Sequence, residues 1–189
     1  MAQGRGFSLS AAVAGAIVTL FILLIIGAVV VFGGLYPVAA SSRHSAGVQW
    51  LIGATRDNAV ARSASRLKPP AFSAADVLMG GSHFKGMCQD CHGGPGTEPE
   101  EFAAGMNPKP PNLAKAADDL SVSEVFWIAK NGFKMTGMPG FGKTDSDDEL
   151  WKVAAFVKAL PKISPAQYAS LRNAHEKEGE SAAAGAHHH

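Results

Sequence analysis

Cys88-Gln89-Asp90-Cys91-His92 sets two thiols three positions apart, with an imidazole directly after the second. That C-x-x-C-H spacing reads as covalent haem attachment. On one helical turn each thiol can add across one vinyl group of the porphyrin, and the next side chain can carry its imidazole to the iron as proximal ligand. Two other chemistries compete for these residues. A redox-active dithiol wants a strand–helix context of the thioredoxin kind, and none precedes Cys88. A zinc site needs further ligands at matched spacing, and the chain has no other cysteine.

A low-spin haem needs a sixth ligand, and the downstream methionines supply candidates. Met138 sits in Gly137-Met138-Pro139-Gly140-Phe141-Gly142, too rich in glycine and proline for helix or strand. Such a loop can hold a thioether over the iron while the prolyl ring limits backbone freedom. Met135, three residues earlier, is the rival, and an open or histidine-closed site is the remaining alternative. Met79, Met87 and Met106 read as packing residues.

The elements that must position these groups come from a chain of 189 residues, enough for one ordinary domain with additions. A net charge of +1 gives no global reason to expect a nucleic-acid partner. An apolar fraction of 47% with 17% charged residues excludes a disordered chain. Ala11–Tyr36 carries no charge, and its length exceeds the roughly 20 residues needed to cross a bilayer core. The run is also longer than the 7–15 residues typical of a signal-peptide core, although Val38-Ala39-Ala40 resembles a cleavage site. The expected organisation is residues 1–8 as a tail, 9–38 as a transmembrane anchor ended by Gly33-Gly34 and Pro37, and 39–71 as a basic juxtamembrane helix or linker. Residues 72–168 are the soluble domain and 169–189 a flexible tail, whose His187–His189 carry no metal argument. In the basic segment Val48, Leu51, Ile52, Thr55 and Ala59 recur at helical spacing, predicting a helix over Ala46–Arg66 that Pro69-Pro70 ends. It can lie on lipid headgroups, on a partner subunit, or serve as a solvated spacer.

The soluble domain resembles a class I c-type cytochrome over roughly Phe72–Leu160. The family's Gly and aromatic residue, eight and four positions before the first cysteine, have counterparts in Gly80 and Phe84. Their partners resemble Val153 and Phe156 of a terminal helix Asp148–Leu160. Pro110-Pro111-Asn112-Leu113 looks like the segment whose prolyl carbonyl accepts from the proximal histidine. On that match Pro111 fixes the tautomer of His92 and Leu113 walls the haem. A middle helix spans Asp119–Asn131, capped by Ser121 or Ser123. Its Trp127 lines the haem crevice, reaches a propionate, or packs in the core. Cys91-His92-Gly93-Gly94-Pro95-Gly96 and Met135-Thr136-Gly137-Met138-Pro139 are similar to stretches of membrane-anchored bacterial monohaem cytochromes.

The resemblance implies an all-α protein, a class I cytochrome c fold preceded by a single N-terminal transmembrane helix. It implies one haem c, covalent through Cys88 and Cys91 and ligated by His92 and Met138, in an electron-transfer protein rather than an enzyme. The expected role is a membrane-anchored carrier of single electrons between a quinol-oxidising complex and a terminal oxidase or reductase. The alternative is a fixed haem c subunit of a membrane-bound oxidoreductase, and a haem enzyme or gas sensor would need Met138 off the iron. Charge counting alone favours the opposite orientation, since Arg5 precedes the span while Arg43 and Arg56 follow it. Cytochrome assembly on the outward side of a bacterial inner membrane, implied by the family, overrides that count. It places the N-terminus in the cytoplasm and the haem domain in the periplasm. Residues 72–175 carry ten basic and twelve acidic side chains. Among the basic ones, Lys85, Lys130, Lys134 and Lys143 are candidates for a docking ring.

Overall fold

The computed structural model describes residues 8–173, so most of the expected 1–8 and 169–189 tails lies outside the described residues. The chain divides into two units, one up to Ser42 and one from Arg43. Among the described residues, helix α1 (Leu9–Phe32) is the helical element of the first. At 1.5 Å per residue it is about 36 Å long, enough for a hydrocarbon core of ~30 Å. It is the one helix among the described residues long and apolar enough to cross a membrane. None of its side chains is buried by protein; Phe21 and Leu24 are each more than 60% exposed. Gly33 caps its C-terminus, and Gly34, at φ +62°, takes the chain out of the helix.

The second unit contains α2 (Ala46–Ala64), α3 (Ala74–Met87), α4 (Gln89–His92), α5 (Leu113–Ala116), α6 (Val122–Asn131), α7 (Asp147–Ala159) and α8 (Pro165–Ser170), with short 3₁₀ turns between. No strand occurs among the described residues. Helices start where the sequence supplies caps: Ser73 with Asp76, Ser121 with Glu124, Ser146 with Glu149 and Ser164 with Gln167 each form a reciprocal capping box. Ser121 therefore starts α6 three residues later than the pattern predicts. The residues ahead of it form a turn whose Ala117 and Leu120 carbonyls accept from the Lys158 ammonium.

The carboxyl of Glu149 is held below the ordinary carboxylate range, first by the Ser146 hydroxyl and then by the Ser146 backbone N–H. A depressed folded-state value means the contribution is present above the unfolded pKa and is lost as pH falls through the folded one. Glu149→Ala is thus expected to lower the melting temperature at pH 7. The gap from the native protein should shrink steadily once pH drops below about 4.5. Paired thermal melts across the acid range check this, and a gap independent of pH would refute it.

Helix α3 crosses α7, α6 packs on α7, and α2 packs on α6. The α3–α7 crossing depends on a missing side chain. A Cβ on Gly80 would stand 2.0 Å from the Lys152 carbonyl oxygen, inside the backbone of the facing helix. The counterpart of Gly80 is therefore the Lys152–Val153 peptide. Beside it Phe84 and Phe156 are fully buried, with centroids 5.4 Å apart and planes tilted at 52°. The edge-on contact of Phe84 is instead with Tyr168, at 77°. Gly80→Ala is expected to cost about 2–3 kcal/mol of stability, because backbone rather than a flexible side chain must give way. Denaturant titration measures it; a loss below half of that would mean the helices slide apart freely.

Candidate haem site

Helix α3 ends at Cys88, whose N–H still bonds the Phe84 carbonyl, and the Cys88 carbonyl then accepts from His92 N at 2.9 Å and Cys91 N at 3.2 Å. The motif therefore lies on a single turn, with both thiols and the imidazole held by the same backbone ladder. Gly93, at φ +68°, stops that turn, and a Cβ there would meet the Thr97 carbonyl oxygen at 2.7 Å. Cys88 is buried in the core cluster, whereas Cys91 is half-buried. Burial, followed by the neighbouring Cys91 and Asp145, pushes the Cys88 thiol up to about 12. Cys91 is raised by burial and then by Asp90. Both shifts favour the protonated, uncharged thiol.

His92 is half-buried and its Nδ1 lies 2.8 Å from the Pro111 carbonyl oxygen. A carbonyl only accepts, so Nδ1 carries the proton and Nε2 keeps a free lone pair. Burial lowers the His92 pKa against the opposing pull of that hydrogen bond, favouring the neutral ring that can ligate a metal. Pro111 is fixed in turn by its neighbour. Asn112 caps α5, accepting from the Lys115 N–H at 3.3 Å, and Leu113 opens that helix packed on the core cluster.

Gly132 ends α6 at φ +64°, where a Cβ would meet the Met138 carbonyl oxygen at 2.6 Å. The following loop closes on itself. Phe133 N–H donates to Met138 O at 3.2 Å, Thr136 Oγ1 donates to Phe133 O, and Met138 N–H donates to Thr136 Oγ1. Within it Met138 is half-buried, while Met135 is 99% exposed with φ +59°. Met106 lies against the loop as well: its sulfur would be 3.0 Å from a Cβ on Gly137.

Cys88, Cys91, His92, Pro111 and Leu113 are thus brought together, and Met138 is presented by a separate closed loop. Trp127 lines a hollow with Arg66, Leu67 and Lys68 between α6 and Trp151 of α7. Lys85 does not belong to a free docking ring: its ammonium donates to the Leu171 carbonyl at 2.8 Å and lies over the Tyr168 ring. Lys130 is engaged with Asp147.

One participant escaped the sequence reading. Tyr168 on α8 is buried and donates its hydroxyl to Gln89 Oε1 at 2.8 Å, between the two cysteines. Its ring also fills the space where a Cβ on Gly94 would sit. The Ser164-Pro165-x-Gln167 capping box ahead of it was the available signal of a further helix. Tyr168→Phe is expected to cost about 1 kcal/mol through the lost hydrogen bond, and Tyr168→Ala about 3–5 kcal/mol through the cavity. Equal losses in the two variants, measured by denaturant titration, would show the hydroxyl rather than the ring to dominate.

Residues 75–157 match the family model described as "Cytochrome C oxidase, cbb3-type, subunit III". No curated protein and no solved structure gives a significant match to the chain.

Proposed function

We propose that this protein is a membrane-anchored electron carrier, since residues 75–157 match a cytochrome family model and follow one apolar N-terminal helix. It uses one haem c, bonded through Cys88 and Cys91 and ligated by His92 and Met138. The observation that carries the reading is the donor set. Two thiols share one turn with a neutral imidazole whose Nδ1 is tied to Pro111, leaving Nε2 for a metal. These residues fit the group that the family implies.

When bound, the haem iron takes up and releases one electron. The chain's own residues do the rest. The Pro111 carbonyl holds the ring of His92 in one tautomer and raises its basicity as a ligand. The closed 133–138 loop limits the excursions of Met138, which would keep its thioether available to hold the iron. A thioether ligand favours the reduced state relative to more basic ligands. Leu113 and the core around Cys88 keep water from the attachment turn.

The carrier sits in a bacterial inner membrane with the domain on the periplasmic side and exchanges electrons with a quinol-oxidising complex and a terminal oxidase or reductase. Tethering raises its effective concentration at partners in the same bilayer. The matched family's description names an oxidase subunit, and this favours a second reading, a fixed haem subunit of a membrane oxidoreductase. Purification in mild detergent separates the two. A monomeric, redox-active chain supports the carrier, whereas stoichiometric co-purification with an oxidoreductase core replaces it with the subunit. A chain with no bound haem after maturation in a cytochrome-assembling host would overturn both.

A further inference from the structure

Helix α2 has two apolar faces, and the domain uses only one. Val60 and Ala64, a turn apart, are 4% and 2% exposed where α2 meets α6. Val48, Leu51, Ile52, Thr55 and Ala59, recurring at three- and four-residue intervals, share the face turned away from α6. On that face Leu51 and Ile52 are 60% and 53% exposed and Thr55 and Ala59 continue the stripe in solvent, whereas Trp50, 73% exposed, projects from another side of the helix. Contiguous exposure of this kind marks an interaction surface. Arg62 follows the stripe on its next turn and Arg66 four residues later, both exposed. From Arg43 to Lys68 the only carboxylate is Asp57, and it is paired with Arg56 at 2.7 Å.

We propose that this outward face of α2 docks on the anionic surface of a lipid bilayer. Leu51 and Ile52 enter the headgroup layer, and Arg62 and Arg66 bind lipid phosphates. The inference rests on reading α1 as the membrane anchor. Three features select lipid as the occupant. The face pairs apolar side chains with arginines and lacks a free carboxylate, the composition of a helix that lies in an interface. Its charge is opposite to that of acidic headgroups. Only Gly33–Ser45, thirteen residues, separate α1 from α2, a reach of at most about 45 Å. Docking would fix the face that the haem domain turns to partners in the same membrane.

Hydrogen exchange on the full-length, haem-loaded protein in nanodiscs tests this. One set of discs holds phosphatidylcholine alone, and the other adds phosphatidylglycerol. Amides of residues 47–55 are expected to exchange roughly tenfold more slowly in the anionic discs. High salt, or the paired change Arg62→Glu and Arg66→Glu, should abolish that difference while α6 and α7 amides keep their protection. Co-flotation with the discs reports on the anchor separately. Failure to float with either disc overturns the anchor reading and this inference with it. Flotation with equal exchange in both lipids overturns docking alone. Protection that appears only in native membranes, together with a cross-link from α2 to another polypeptide, would also overturn it and assign the face to a protein subunit.

Discussion

Replacing Cys88 and Cys91 together by alanine is expected to yield a chain whose mass lacks one haem and whose denatured form shows no haem absorbance. The expectation follows from the shared turn. Cys88 closes α3, and its carbonyl accepts from the N–H groups of Cys91 and His92. Both sulfurs and the imidazole are therefore set by one short piece of backbone. The single variants should differ. Cys88 is buried in the core cluster that also holds Phe84 and Leu150, so Cys88→Ala removes an attachment point and leaves a gap in packed structure. Cys91 is half-buried, and its loss should leave a chain holding haem by one bond, with a shifted spectrum and the weaker destabilisation of the two. His92→Ala should keep whatever haem becomes attached but lose the low-spin spectrum, since the carbonyl of Pro111 orients nothing without the ring. Haem staining after denaturing electrophoresis, intact mass and the ferric spectrum measure these outcomes. Haem that stays with the denatured double variant would sink the attachment argument outright.

The parts of the molecule legible from the sequence are those fixed by local chemistry. Cys88, Cys91 and His92 are readable because covalent capture of one planar group demands their spacing within a turn. Gly80 is readable because one missing Cβ decides whether two helices can cross. The Met138 loop is readable as irregular because its glycines and proline exclude regular structure. The start of α6 at Val122 was obscured by an acidic run, yet the Ser121–Glu124 capping box explains it once seen. What stayed hidden depends on contacts distant along the chain. Lys85 reaches the Leu171 carbonyl 86 residues away, so a residue that reads as surface charge is part of the clasp that holds α8. Tyr168 touches Gln89 across 79 residues. Periodicity found the apolar stripe of α2 but could not say which face the domain takes. The smaller side chains Val60 and Ala64 allow the close approach to α6, and the bulkier Leu51 and Ile52 are left outside. Trp127 shows the same limit, because a single aromatic on a helix carries no information about which hollow it lines.

Met138→Ala is expected to abolish the long-wavelength ferric band that iron–thioether ligation produces. It should also lower the reduction potential by some tenths of a volt, part of the ~0.8 V over which axial ligands tune haem. Met135→Ala should change neither, because that side chain is 99% exposed on a backbone at φ +59° that points it into solvent. The contrast tests the loop as well as the ligand. Thr136 Oγ1 donates to the Phe133 carbonyl and accepts from Met138 N–H, so together with the Phe133 N–H bond to the Met138 carbonyl it ties the start of the loop to the residue that would reach the iron. Thr136→Val keeps the shape and removes both bonds. It should leave the band present but weakened, with a faster exchange of Met138 for added imidazole. Met106, packed against Gly137, gives a further check. If it merely supports the loop, Met106→Ala should resemble Thr136→Val. If the band survives in Met138→Ala and disappears in Met106→Ala, the sixth ligand is Met106 and the loop's role is to hold that thioether. Absence of the band from the native ferric protein would instead exclude thioether ligation, and with it the methionine ligand on which the carrier reading depends.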